Sequence, residues 1–95
     1  MSTVIEEEVE ETTEEHVKKY PMWKVLLHND DHTEILDVIF AVMDVFKYDH
    51  EKTLKIVMEA HKTGVAICKI EPKEQAEFHT EQLISHRLTA TYEKA

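Results

Sequence analysis

The stretch that decides the fold is WKVLLHNDD, residues 23–31. Its first five residues, 23–27, are mostly strand formers, and Asn29, Asp30 and Asp31 after them favour a turn. This order predicts a short β-strand that ends in a polar turn. An apolar segment follows the turn, so we expect the chain to pass from this strand into a helix.

The apolar segment, residues 35–46, contains two charged residues, Asp37 and Asp44. It predicts a first helix that is buried on most of its circumference. Asp31 or Thr33 is expected to cap the start of this helix through its side-chain oxygen.

A second helix is expected after Asp49, a typical N-cap residue. It would end at Gly64, the one glycine of the chain, because helix ends often adopt the left-handed conformation that glycine tolerates. The apolar face of this helix follows the i, i+3, i+4, i+7 spacing: Leu54, Val57, Met58 and His61. A lone histidine on such a face is usually a core residue bonded to a backbone carbonyl, and the alternative is a binding residue.

Residues 65–70 are rich in β-branched side chains and predict a second strand. Pro72 suits the first turn of a third helix that reaches about Arg87, and residues 88–92 predict a last strand. The expected order is β-α-α-β-α-β. It indicates an α+β fold, a three-stranded antiparallel sheet with three helices on one face.

The charge balance limits the kind of partner. The chain has 95 residues, 20 acidic and 11 basic, for a formal net charge of −9. This argues against nucleic acid and against anionic membranes, which both attract basic surfaces. No apolar run approaches the ~20 residues of a membrane span, and the first residues lack the pattern of a signal peptide. With one cysteine, we expect a cytoplasmic protein whose partner is a protein, a peptide or a cation.

Residues 1–19 differ in composition from residues 20–95. They are crowded with glutamate and hold few large apolar side chains. A disordered acidic extension is therefore expected, with a solvated helix as the alternative. Pro21 opens the domain that follows.

Catalytic and metal-binding signatures are weak. The chain has no phosphate-binding loop and no nucleophile elbow, and Cys68 in mid-strand is expected to be a buried, unreactive thiol. His28 and His32 flank Asp30 and Asp31, which together could ligate a metal. A strand end and a turn point side chains in different directions, so an exposed polar turn is favoured over a metal site.

A different grouping suits an organic cation. If the turn at Asn29, Asp30 and Asp31 converges on His61, the mouth of an apolar pocket would hold a carboxamide, carboxylates and an imidazole. Asn and neutral His accept hydrogen bonds from an ammonium group, and Asp adds opposite charge.

Two stretches in one register resemble the ClpS family: VLLHNDDHT, residues 25–33, and MEAHKTGVAIC, residues 58–68. The ending YEKA adds to a resemblance that covers about residues 20–95. ClpS is the adaptor of the bacterial Clp protease that selects N-degron substrates, which are proteins recognised by their first residue. The resemblance implies the same β-α-α-β-α-β fold after a flexible extension, no catalytic activity and no cofactor.

The resemblance also implies a site. Asn29 and His61 would bind the α-ammonium group directly, Asp31 would help directly or through water, and Asp30 would lie beside it. The pocket for the first side chain, which in the family takes Leu, Phe, Tyr and Trp, would be lined by Leu27, Thr33, Ile35, Val38, Val57, Ala60 and Leu88. The implied partner is the N-terminal domain of a Clp unfoldase, ClpA or ClpC. Residues 1–19 would be used in handing substrate to that unfoldase.

The sequence departs from the family at the pocket. Ile35 stands where the family commonly has a methionine that bars β-branched side chains, and Val57 and Ala60 replace residues that are often larger. We hypothesise that a stiffer wall of different shape shifts the preference toward aliphatic residues, including Ile and Val. The segment between Ala76 and Leu88 is also several residues shorter than in the best-known members of the family.

Two other classes of protein fit parts of the sequence. A ribosomal-stalk type domain has the same element order, but it would present a lysine-rich helix, and the second helix here offers Lys52, Lys55 and Lys62. A metal-dependent regulator would use the histidines and aspartates of the turn. Neither accounts for the joint placement of Asn29 and His61.

Overall fold

The computed structural model describes residues 21–95, and the predicted α+β fold is confirmed. The elements are β1 (Met22–His28), α1 (Ile35–Phe46), α2 (His50–Thr63), β2 (Val65–Pro72), α3 (Lys73–Ser85) and β3 (Thr89–Lys94). Within this range no helix is long and apolar enough to cross a membrane. The predictions for residues 1–19 lie outside the described residues.

β1 is the central strand of an antiparallel sheet with the order β2-β1-β3. Leu27 of β1 pairs with Ala66 on one side and with Ala90 on the other. All three are buried in a core to which every helix contributes, so the helices cover this face of the sheet. At the other end of β1, the N–H of Ala95 donates to the Met22 carbonyl over 3.0 Å.

A β-bulge at Cys68 interrupts the pairing of β1 with β2, because Val25 pairs with Lys69 but Leu26 pairs with Ile67. The Tyr48 hydroxyl donates to the Cys68 carbonyl over 2.9 Å. Burial raises the pKa of the Cys68 thiol to about 12. The prediction that Cys68 is buried is confirmed, and a thiol that stays protonated at neutral pH is a poor nucleophile.

α1 is more exposed than predicted. Leu36 is 60% exposed and Phe40 is 66% exposed, so the prediction of burial on most of the circumference was wrong. In a two-layer fold the sheet and the neighbouring helices cover one side of a helix and leave the other side in solvent. The predicted cap was also wrong: the N-cap is Glu34, without a side-chain hydrogen bond, rather than Asp31 or Thr33.

The predicted ends of α2 are confirmed. The Asp49 side chain accepts a hydrogen bond from the Lys52 N–H over 2.8 Å. At the other end Gly64 adopts a φ of 95° and its N–H donates to the Ala60 carbonyl. These contacts satisfy backbone groups that a helix terminus leaves without partners.

The predicted apolar face of α2 is displaced by part of a turn. The helix buries Thr53, Val57 and Ala60, whereas Leu54 is 37% exposed and His61 is exposed. The interpretation of His61 as a core residue was therefore wrong.

α3 is shorter than predicted at both ends. Pro72 is the last residue of β2 and the N-cap of the helix rather than part of its first turn. The helix ends at Ser85, and Arg87 adopts a left-handed φ of 67° that turns the chain into β3. A non-glycine residue in this conformation is uncommon, so the turn is held by its surroundings.

A buried carboxylate joins β2 to α3. Glu71 is 3% exposed, and its Oε2 lies 2.6 Å from Nδ1 of His79. Its Oε1 lies 3.8 Å from Nζ of Lys69. The His79 ring packs on Phe46, with ring centroids 4.9 Å apart. Glu71 is tolerated at this depth because the polar partners offset the cost of removing a charge from water.

Replacing His79 with alanine should leave this carboxylate without its close partner and lower the free energy of unfolding by about 3 kcal/mol. Urea denaturation followed by circular dichroism measures the change. The exposed Glu81 on the same helix provides the control, since Glu81→Ala should change the free energy by less than ~0.5 kcal/mol. A loss below about 1 kcal/mol for His79→Ala would contradict the dependence of Glu71 on this pair.

Candidate functional site

A cavity of about 230 Å³ opens where β1 ends, between α1 and α2. Leu27, Val57, Ala60 and Leu88 form its buried apolar part. One water molecule needs roughly 10–15 Å³ by this kind of measure. The cavity is therefore large enough for an amino-acid side chain.

The cavity brings together all the residues that the sequence predicted for the site. Its lining is Leu27, Asn29, Asp30, Asp31, Thr33, Ile35, Val38, Val57, Ala60, His61, Leu88 and, in addition, His28. Nε2 of His28 lies 2.7 Å from Oγ1 of Thr91. His28 was expected at most as a metal ligand, and its position beside Asn29 is the one signal in the sequence for a place in the cavity.

A backbone hydrogen bond brings the two halves of the rim together. The N–H of Asn29 donates to the Gly64 carbonyl over 2.9 Å, so the polar turn after β1 lies against the C-terminal end of α2. His61 is in the last turn of that helix. Asn29 and His61 thus share one rim although α1 and most of α2 separate them along the chain.

Asp30 organises the turn. Its Oδ1 accepts the N–H of His32 over 3.1 Å and the N–H of Thr33 over 2.9 Å, and its Oδ2 accepts the Thr89 hydroxyl over 3.1 Å. Partial burial raises the pKa of Asp30, but the hydrogen bonds from Thr33, Thr89 and His32 outweigh burial, so the pKa lies below its ordinary value of 3.8. Asp30 is therefore ionised at neutral pH, and both of its oxygens are occupied. Asp30 therefore stabilises the turn in which Asp31 or Thr33 was expected to cap α1.

A second contact fixes the far end of the turn. The Thr33 hydroxyl donates to the Arg87 carbonyl over 3.3 Å. Leu88 lies between Arg87 and Thr89, so these contacts flank a residue of the cavity floor on both sides. The sequence did not indicate the roles of Thr89 and Arg87, because both residues act through contacts with a segment that is distant in the chain.

The electrostatics of the rim favour a cation. Asp31 is exposed at the mouth beside the ionised Asp30. The C-terminal end of α2, next to His61, carries the partial negative charge of a helix terminus. The Asn29 carboxamide oxygen and the His61 imidazole, when it is neutral, offer hydrogen-bond acceptors. A group with a positively charged end on an apolar body fits both parts of the cavity.

The positions of the histidine and aspartate side chains around the turn do not support a metal site. Between residues 21 and 95, no three histidine, cysteine or carboxylate side chains form a cluster that could hold a metal ion. His28 bonds to Thr91, and Asp30 bonds within the turn.

The family model described as ATP-dependent Clp protease adaptor protein ClpS matches residues 18–91. The ATP-dependent Clp protease adapter protein ClpS of Gloeobacter violaceus is 48% identical over 77 residues, which cover 80% of this chain and 83% of that protein. The protein of the same description from Aromatoleum aromaticum is 33% identical over 75 residues, which cover 79% of this chain and 74% of that protein.

A solved structure is similar as well. Agrobacterium tumefaciens ClpS2 bound to L-phenylalaninamide matches with a TM-score of 0.75 and 26% identity, over 79% of this chain and 98% of that chain. The family model, the relatives and the shared fold agree, and they show that this chain belongs to the ClpS family of Clp protease adaptors.

Proposed function

We propose that this protein binds the free α-amino group and the bulky hydrophobic first residue of N-degron proteins and delivers them to a Clp ATPase-protease, with no catalysis of its own. The observation that carries the proposal is the placement of Asn29 and His61 on the rim of an apolar cavity. The Agrobacterium relative supports it, because L-phenylalaninamide joins a free amino group to an apolar side chain.

The polar rim would hold the α-ammonium group. The Asn29 carboxamide oxygen and an unprotonated ring nitrogen of His61 accept hydrogen bonds from its N–H groups, and Asp31 supplies opposite charge at the mouth. Asp30 contributes charge from behind, since its oxygens are occupied by Thr33, His32 and Thr89. This division gives the two neighbouring aspartates different tasks.

The apolar part would hold the first side chain, with Leu, Phe, Tyr and Trp as the expected residues. Burying one such side chain contributes roughly 1.5–3 kcal/mol, and each hydrogen bond to a charged group contributes about 1.5–3 kcal/mol. With two or three such bonds the sum is about 4.5–12 kcal/mol before the cost of ordering the peptide, so the affinity is expected to be micromolar or weaker. Such a site selects a substrate and can still release it.

The proposed partner in delivery is the N-terminal domain of ClpA or ClpC, in the cytoplasm. The adaptor description of the family supports a Clp partner. The single, unreactive Cys68 is in keeping with a reducing compartment. Residues 1–19 are proposed to act in the transfer of substrate to the unfoldase.

Peptides that begin with Leu or Phe should bind with a free terminus and lose at least about a hundredfold in affinity when acetylated, because acetylation removes the positive charge and all but one of the N–H donors. Fluorescence anisotropy measures both forms. A peptide that begins with Ala controls for the side chain and should bind weakly. Equal affinity of free and acetylated peptides would exclude the proposed site.

His61→Ala should weaken binding of a free Leu peptide by about tenfold or more, because one acceptor for the ammonium group is lost. The free energy of unfolding should stay within ~0.5 kcal/mol of wild type, since the side chain is exposed. The neighbouring Lys62 is also exposed, and Lys62→Ala is the matched control for a change in the same turn. Unchanged binding by His61→Ala would remove His61 from the site.

The pocket is further proposed to accept Ile and Val. Ile35 is the first residue of α1 and is 44% exposed at the cavity. Its β-branched side chain has restricted rotamers, and Val57 and Ala60 opposite are small. A stiff wall with small residues leaves room for branching next to the peptide backbone.

Ile and Val peptides should therefore bind within about tenfold of a Leu peptide, whereas Ile35→Met should weaken Ile and Val peptides about fivefold more than Leu. Anisotropy titrations of the variant give these ratios. Leu36→Met is the matched control, because Leu36 is the exposed neighbour outside the cavity lining. The idea fails if Ile and Val peptides bind wild type no better than an Ala peptide.

A further inference from the structure

We infer that Thr89 is a positioning residue for ammonium recognition: its hydroxyl, bonded to Asp30, holds the turn of residues 29–33 in the binding geometry. This inference rests on the proposed function. Thr89 is not part of the cavity lining, so it acts through Asp30 and not by touching the ligand.

Three hydrogen bonds orient the Asp30 carboxylate. Oδ1 receives two backbone N–H groups of the turn, and Oδ2 receives the Thr89 hydroxyl. The backbone bonds bind Asp30 to its own turn, whereas the Thr89 bond ties the turn to β3. Without that hydroxyl, the Asp30 carboxylate keeps its contacts within the turn and loses its bond to β3.

Residues 87–89 support the turn of residues 29–33. Thr33 donates to the Arg87 carbonyl and Thr89 donates to Asp30, so the segment holds the turn at two points. Leu88 between them is 5% exposed and forms part of the cavity floor. The polar rim and the apolar floor are therefore positioned by the same short segment.

Removing the Thr89 hydroxyl would disturb its bond to Asp30 more than the packing around it. Thr89 is exposed at the start of β3, where it pairs with His28 in the sheet register. Removing its hydroxyl costs little packing, and valine keeps both the shape and the β-branched strand preference. A change in binding would thus report on the bond to Asp30.

The test compares Thr89→Val, which lacks the hydroxyl, with Thr89→Ser, which keeps it. Each variant is titrated with a Leu peptide in free and acetylated form. We expect about tenfold weaker binding of the free peptide by Thr89→Val and binding within about twofold of wild type by Thr89→Ser. Carboxyl NMR should show a higher pKa for Asp30 in Thr89→Val, because a hydrogen bond to the ionised form is lost.

Controls separate the possible failures. Ser85→Ala removes an exposed hydroxyl that bonds within α3 and should bind like wild type. Thr89→Ala replaces Thr89→Val if circular dichroism shows that the valine variant folds poorly. Wild-type binding by Thr89→Val, or equal losses in Thr89→Val and Thr89→Ser, would overturn the role of the hydroxyl. Wild-type protein that does not distinguish free from acetylated peptide would overturn the proposed function itself, and this inference with it.

Discussion

The hydrogen bond from the Asn29 N–H to the Gly64 carbonyl is the contact on which the geometry of the site depends. It continues the pairing of β1 with β2 beyond the last register pair, His28 with Val65. The polar turn therefore starts from a point that is fixed relative to α2 and to His61 at its end. Gly64 reaches this position with a φ of 95°, a conformation that a residue with a Cβ rarely adopts. One permissive backbone position thus sets the distance between the two sides of the rim.

The order of the elements follows from local signals, and the sequence contains them. Asp49 and Gly64 mark the ends of α2, and residues 65–70 have the composition of a strand. The side that each helix turns toward the sheet is a different matter. In α1 the charged residues Asp37 and Asp44 mark the exposed side, but the apolar Leu36 and Phe40 on that same side conceal how wide it is. In α2 two adjacent stripes satisfy the helical spacing, and packing selects the stripe with Thr53 rather than the one with Leu54.

The candidate site could be predicted in its membership but not in its internal contacts. The two motifs at residues 25–33 and 58–68 contain the polar rim residues and part of the apolar lining, and the resemblance to the family that they carry named the remaining lining residues: Ile35, Val38, Val57 and Leu88. The task of Asp30 could not be predicted in this way. Its carboxylate accepts from Thr89, which lies 59 positions away in the chain, and no local pattern indicates such a partner. The same holds for Thr33, a predicted cap that instead donates to Arg87.

The backbone hydrogen bond between Ala95 and Met22 determines where the domain can be attached to a surface or to another protein. It places residue 95 beside the start of β1, whereas the cavity opens at the end of that strand. β1 has 7 residues, and at a rise of about 3.3 Å from one residue to the next its two ends are roughly 20 Å apart. Pro21 and Ala95 therefore lie on the side opposite the cavity. The domain can be immobilised through Ala95 while the described part of the chain leaves its cavity open to solution.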